Sequence, residues 1–357
     1  MSEKIFSGLK VVEFASVLAG PAVGMFFAEL GADVIKIENK TTGGDVTRGW
    51  KHPKEDPASP ISAYWCSVNW GKTHLMLDLR QAADLQQALE LVATADVLIS
   101  NFKPSFAKNC GLDPETLQQR NPRLIYAQLS AFADPEDESP AFDVVLQAEA
   151  GFMYMNGEPD RPPVKMPVAL IDILAAHQLK EAILIALLQR ERTGRGSVVS
   201  TSLMESALAS LANQATNWLM VGHIPQRMGA QHPNIAPYGD VFTCLDGQPI
   251  LLAAGTERQF SQCCICLDLK ELLEDSDYKT NTVRVKNRSA LNELLAARIA
   301  LRTSGDLMEA FKKAGVPAAR IRDMKAVFEL DAAKGMVLEE GETKRVRTVA
   351  FTVDGGR

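Results

Sequence analysis

Long apolar runs are missing from this 357-residue chain. No stretch reaches the roughly 20 consecutive apolar residues that a membrane-spanning helix needs. The opening "MSEKIFSGLKVVEF" carries no signal-peptide core and runs straight into a strand pattern. Cysteine is sparse and unframed: Cys66, Cys110, Cys244, Cys263, Cys264 and Cys266 show no disulfide spacing. "CCIC" lies in a helical pattern with no histidine nearby, so buried thiols in a reduced, cytoplasmic protein are expected. The histidines form neither H-x-x-x-H nor H-E-x-x-H, which argues against a metal centre. G-x-S-x-G is absent, and with it the serine nucleophile elbow. An excess of positive charge is absent too. The net charge of −6 argues against nucleic acid as a partner, while leaving room for a small anion held by a local basic cluster. No repeat of solenoid period and no low-complexity segment is visible.

What the chain does have is alternation. "LKVVEFA", "ADVIKIE", "HLMLDL", "ADVLISN" and "RLIYAQLSAF" read as strands. Between them, "GPAVGMFFAEL" reads as a helix with Pro21 in its first turn and Gly31 behind it, followed by "ADLQQALELVATA" and by "DPETLQQR", opened by Asp113 and Pro114. This βαβ rhythm predicts a parallel, doubly wound sheet covered by helices on both faces. An acidic loop follows at 133–141, then the helical "FDVVLQAEAG" and a Pro-rich approach, "NGEPDRPPVKMP", to a long apolar helix ending at "RTGRG". "SVVSTSL" is a short strand, and "MESALASLANQATNWLMVGH" is expected to form one long helix linking two domains. "VFTCLDGQPILLAAG" predicts a hairpin turning at Asp246-Gly247. "DSDYKTNTVRVKNR" reads as an exposed connection, and "VRTVAFTV" as a last strand.

Candidate sites follow from placement. The first strand–turn–helix unit, with Glu38 closing the second strand, has the outline of a dinucleotide site, but its turn "ASVLAGPAVG" lacks the glycines of G-x-G-x-x-G. Lys36, Lys72, Arg80, Lys103 and Lys108 fall at or after strand ends, where an open α/β sheet binds ligands; together they would suit phosphates. Asp172 is the early acid of the apolar helix "VALIDILAAHQLKEAILIALLQ". On helix grammar alone an N-cap is the favoured reading. The alternative is a carboxylate poised in a low-dielectric pocket. His177, five residues on, lies about 140° round the helix and does not share its face.

The blocks "VVEFASVLAGPAVGMFFAELGADVIKIE", "VNWGKTHLMLDL", "ADVLISNFKP", "GLDPETLQQRNPRLIYAQLSAF", "AFDVVLQAEAGFM", "VALIDILAAHQLKEAILIALLQRERTGRG" and "QHPNIAPYGDVF" occur in the order in which they stand in one family. From about residue 5 to about 350 the chain resembles the class III CoA-transferases (CaiB/BaiF type), the group of formyl-CoA transferase and carnitine CoA-transferase. The resemblance implies an α/β fold: a Rossmann-like parallel-sheet large domain plus a smaller α+β domain, in an interlocked homodimer. On this chain that gives a large domain at 1–200, a linker helix at 201–229, a small domain at 230–325 and a return segment at 326–357. It implies that Asp172, ahead of Thr193-Gly194-Arg195-Gly196, is the catalytic nucleophile. Val17, Leu18, Ala19, Leu77, Arg80, Asn101, Phe102 and Lys108 match coenzyme A-contacting positions, and Asn39 stands where some members carry an arginine. Asp143 is assigned either to the acceptor acid or to capping its own helix.

The implied reaction moves coenzyme A from an acyl-CoA to a carboxylic acid through an aspartyl anhydride and an aspartyl-CoA thioester, without a metal. The carboxylate is expected to be anionic at neutral pH, with main-chain N–H groups of the helix start or the "SVLAG" turn facing the oxyanions. The related acyl-CoA racemases carry a His-Asp pair where this chain has Phe142-Asp143, and phenylalanine carries no proton. A racemase or a non-catalytic coenzyme A-binding paralogue remain the alternatives. The glycine-run loop of some transferases and their longer C-terminal tail are not found.

Overall fold

A computed structural model describes residues 4–134, 137 and 139–353; positions 135, 136 and 138 of the acidic loop lie outside the described residues. The chain divides into two units, one comprising Met1–Phe152, Lys165–His223 and Lys334–Arg357, the other Met153–Val164 and Ile224–Ala333.

The first unit is built on a six-stranded sheet: β1 (Lys10–Glu13), β2 (Asp33–Asn39), β3 (Thr73–Leu77), β4 (Val97–Ser100), β5 (Ile125–Ser130) and β6 (Val198–Ser202). Its order is β3-β2-β1-β4-β5-β6, and every neighbouring pair is parallel. Parallel strands buried on both faces read as continuous apolar runs rather than as alternation, and β4, all four residues buried, shows why. Val97 and Ile99 join a core on one face, while Leu98 between them joins the core on the other. The crossovers carry α1 (Ala19–Glu29), α2 (Ala63–Cys66), α3 (Ala82–Ala93), α4 (Pro104–Asn109), α5 (Pro114–Arg120) and α6 (Asp143–Glu149). After the single turn α7 (Phe152–Met155) comes the longest helix, α8 (Leu170–Thr193). Its buried residues Ile171, Ala175, Leu179, Ile183 and Ala186 recur at helical spacing and pack with Val23, Phe26 and Phe27 of α1 in one core. Gly194, at φ 71°, ends the helix in the left-handed conformation that glycine adopts without strain.

Glycine also sets how closely α1 lies on β1. A Cβ on Gly24 would stand 1.8 Å from the Glu13 carboxylate, and one on Gly20 would stand 2.2 Å from the Ala15 Cβ. The turn lacks the dinucleotide fingerprint, yet its helix keeps the glycine that lets helix and strand approach closely.

Three expectations need correction. The segment 203–221 is two helices, α9 (Leu203–Ala209) and α10 (Ala212–Val221), both within the first unit. The Ser210 hydroxyl bonds back to the Ser206 carbonyl at 2.7 Å and Ala212 takes φ 48°, which together break the helical path. "VRTVAFTV" contributes only its first residue to a strand. β10 (Val337–Glu340) and β11 (Thr343–Val346) pair as a hairpin, and beyond it the Thr348 and Val349 N–H groups donate to the Glu29 carboxylate of α1. A side chain has taken the donors that a ladder would use. The charged stretch at 275–288 is not simply an exposed connection. It holds α12 (Asn281–Lys286), whose Arg284 is buried, pairs with Glu257 and donates to the Ala236 and Tyr278 carbonyls.

The second unit has the expected hairpin. β7 (Tyr238–Thr243) and β8 (Pro249–Ala253) are antiparallel, with Gly247 at φ 74° in the turn, and β9 (Ala318–Arg320) adds a third antiparallel strand. Cys263 and Cys264, on α11 (Glu257–Cys266), are buried in this unit's core.

Candidate active site

A crevice of about 670 Å³ opens at the carboxyl ends of β1, β2, β3 and β4, across the point where the strand order reverses. Four of the eight positions matched to coenzyme A contacts line it: Leu77, Arg80, Asn101 and Phe102. Asn39, Lys103 and Phe106 line it as well. Phe102 lies between Phe14, tilted at 5.2 Å, and Phe106, edge-on at 4.9 Å, giving the crevice an apolar wall. Arg80 is exposed at its edge. Val17, Leu18, Ala19 and Lys108 are not among the lining residues; Lys108 is an exposed residue on α4. A second cavity of about 310 Å³ shares Asn101, Phe102 and Lys103 and reaches along the ends of β5 and β6.

Two of the basic residues proposed for phosphates are committed elsewhere. Lys36 is 1% exposed and bonds to Glu13 (2.8 Å), Asp45 (3.2 Å) and the Ala15 carbonyl (2.6 Å). Burial favours its neutral form, but the Glu13 and Asp45 carboxylates win and raise its pKa. Lys72 holds the other Glu13 oxygen at 2.8 Å; burial pulls its pKa down to about 8 against that pairing. Glu38 is occupied by Arg48 (2.7 Å), His74 (2.9 Å) and the Asp45 N–H (2.7 Å), which outweigh burial and hold its carboxyl well below the ordinary range. These buried ions brace the crevice floor, and Arg80 and Lys103 also line the crevice.

The "SVLAG" turn is strained. Val17, a β-branched residue, has φ 72°, and its N–H donates to Asp45 at 3.1 Å. That one donor of the turn is therefore taken by the protein itself. Asp45 reads locally only as a turn acid, accepting from the Thr47 N–H and hydroxyl, so nothing in the sequence ties it to Val17.

Asp172 occupies the third position of α8 and is 8% exposed. The N-cap is Ala169, so the capping reading fails. Among the described residues no donor bonds the Asp172 carboxylate. Burial, followed by the negative charge of Asp143, pushes its pKa up to about 7, which corrects the expectation of a fully anionic carboxylate at neutral pH. Asp143, at the start of α6, does the capping from outside: its Oδ1 accepts from the Ile171 N–H at 2.6 Å and the Asp172 N–H at 3.4 Å. These are the first-turn donors expected to face an oxyanion. Tyr64 of α2 belongs to the same group and was missed in the sequence. Burial, then Asp172 and Asp143, push its phenol up to about 12. Tyr64 meets Trp50 edge-on at 5.1 Å, and Trp50 lies 6.4 Å from Phe142, which precedes Asp143.

A doubly wound parallel sheet with a crevice at its switch point defines the α/β class, and a buried, unbonded carboxylate stands at the head of its longest helix. The chain belongs to CoA-transferase family III, whose sequence model matches residues 6–355. It is 37% identical over 327 residues to the succinate–glutarate CoA-transferase of Agrobacterium fabrum, covering 90% of this chain and 81% of that one. It is 34% identical over 341 residues to the acetyl-CoA:oxalate CoA-transferase of Acetobacter aceti, covering 94% and 86%. A CaiB/BaiF family protein from Brucella suis, a solved structure, shares 39% identity at a TM-score of 0.88, covering 99% of this chain and 93% of that one.

Proposed function

We propose that this CoA-transferase moves coenzyme A between an acyl-CoA and a short dicarboxylic acid, with Asp172 as the covalent nucleophile. The two curated relatives are named for succinate, glutarate and oxalate, all dicarboxylic acids, which supports that acceptor class. The observation that carries the mechanism is the state of Asp172: buried, close to α8's first turn, and bonded by none of the donors around it.

Ionised Asp172 attacks the thioester carbonyl; the C–S bond breaks and the thiolate of coenzyme A leaves a mixed anhydride on the enzyme. The thiolate then attacks the aspartyl carbonyl, the donor acid departs as a carboxylate, and an aspartyl-CoA thioester remains. The acceptor carboxylate attacks that thioester and the thiolate leaves again. Its return to the acceptor's carbonyl frees Asp172 and completes the transfer. No electrons are gained or lost overall, and water must be kept out because each intermediate hydrolyses. Tyr64, a neutral phenol whose pKa burial and the two acids raise further, donates a hydrogen bond to a developing oxyanion. Arg80 and Lys103, on the crevice wall, suit the phosphates of coenzyme A, while Leu77, Asn101 and Phe102 take its apolar and amide parts. We place the reaction in the cytoplasm, in keeping with six unpaired cysteines. The described residues include no helix long and apolar enough to cross a membrane.

The working form is proposed to be the interlocked homodimer. Leu219, Met220 and Val221 of α10 are 78%, 77% and 76% exposed on the single chain, an apolar run that a second copy would cover.

The test is chemical. Asp172→Ala should abolish coenzyme A exchange while the protein stays folded. Hydroxylamine added during turnover should convert Asp172, and no other acid, into a hydroxamate detectable by mass spectrometry. Turnover by the alanine variant would exclude the covalent route.

A further inference from the structure

Helix α8 begins without a cap of its own. Ala169 supplies no side-chain acceptor, so the donors of the first turn need one from elsewhere. Asp143 provides it across 28 residues of sequence, taking the N–H groups of Ile171 and Asp172 on one oxygen. Its other oxygen accepts from the Gln147 side-chain amide at 2.5 Å. Gln147 is itself pinned, since its carbonyl oxygen accepts from the Met166 N–H at 2.8 Å. A chain of bonds, buried from Gln147 onward, thus runs from the approach segment through Gln147 to Asp143 and on to the head of α8. Three N–H donors satisfy the charged form of Asp143, whereas none reaches the side chain of Asp172.

We infer that Asp143 is a positioning residue for the nucleophile: by capping α8 from outside the helix, it fixes the first turn and leaves the Asp172 carboxylate unbonded and available for attack. An acid at this helix position would ordinarily turn back on the free N–H groups at its own N-terminus. With two of those groups taken by Asp143, that self-capped and unreactive arrangement has fewer donors to offer. The same placement puts a negative charge beside Asp172 and keeps its proton on to higher pH, in the direction of the raised titration described above.

Other charged groups do not substitute for it. Tyr64 of α2 feels the charge of both acids and is itself neutral at neutral pH. Glu29 of α1 acts on Lys180, two turns further along α8. Glu205 of α9 bonds the Ser202 hydroxyl, and β5 brings only the buried Tyr126 phenol. On α8 itself, burial and then Lys180 lower the pKa of His177.

The inference rests on Asp172 being the nucleophile, and the test separates the two. Asp143→Asn keeps an oxygen acceptor for the main-chain donors and removes the charge. In the pH profile of kcat/KM, which reports groups of the free enzyme, its acid limb should move to lower pH than in the wild type. A limb that stays in place, with only the melting temperature lowered, would overturn the proposal and reduce Asp143 to a structural cap. Asp143→Glu keeps the charge but misplaces the carboxylate by one methylene. Its limb should stay put while kcat falls and the KM for acyl-CoA holds. Wild-type kcat in the glutamate variant would overturn the proposal even if the asparagine variant fails to fold. An active Asp172→Ala enzyme would instead defeat the covalent mechanism, and this inference with it. An inactive Asp172→Ala enzyme with an unmoved Asp143→Asn limb would defeat the inference alone.

Discussion

Asparagine in place of Asp172 preserves the size of the side chain and deletes its ionisation, so the two proteins should differ in how stability depends on pH. In the fold the carboxyl titrates at about 7, against an ordinary value of 3.8. A folded value above the unfolded one means that the native state binds the proton more tightly. Stability is then fullest while the acid is protonated and falls as pH rises between the two values. The shift of about three units, at ~1.36 kcal/mol each, comes to about 4 kcal/mol across that interval. Because the side chain is only 8% exposed, solvent screening removes little of it. About 2.6 kcal/mol of the loss falls between pH 5 and pH 8, where both states can be studied. The asparagine variant escapes this decline. Denaturant titrations at the two pH values should therefore show its stability relative to wild type improving by about 2 to 3 kcal/mol from the lower to the higher. The gain in stability should accompany complete loss of coenzyme A exchange, since the strain of holding a desolvated anion belongs to the reaction. A stability difference that stays constant across this pH range would refute the premise that Asp172 is held with a raised pKa.

Two further outcomes test the crevice and the assembly. Arg80→Ala should raise the KM for acyl-CoA about tenfold, equivalent to ~1.4 kcal/mol, with kcat little changed, and raised salt should shrink the difference because the side chain is exposed; steady-state kinetics at two ionic strengths would decide this. Leu219→Asp should shift the protein toward a monomer in sedimentation equilibrium, and an unchanged mass would remove α10 from the proposed interface.

Much of the fold was legible along the chain because its signals are local. Pro21, Gly31, Asp113 with Pro114, and Gly194 act through their own φ angles or on donors within one turn, so they mark helix ends wherever the chain goes. The βαβ alternation foretold a parallel sheet for the same reason. The errors came where a distant group intervened. Glu29 takes the N–H groups of Thr348 and Val349 across more than 300 residues, and Arg284 is buried by a partner, Glu257, that its own charged neighbourhood does not reveal.

The site divides along the same line. Sequence alone determined that a lone acid stands at the head of a long apolar helix, and that Arg80, Asn101 and Phe102 follow strand ends, because both are matters of position along the chain. Tertiary structure decided which charges are spent. It drew Lys36 and Lys72 into Glu13 and gave the Val17 N–H to Asp45. It also set Asp143 over the first turn of α8, so that Asp172 keeps its carboxylate free. Desolvation and charge pairing depend on what surrounds a group in space, and those surroundings are assembled only when segments far apart in the chain pack together.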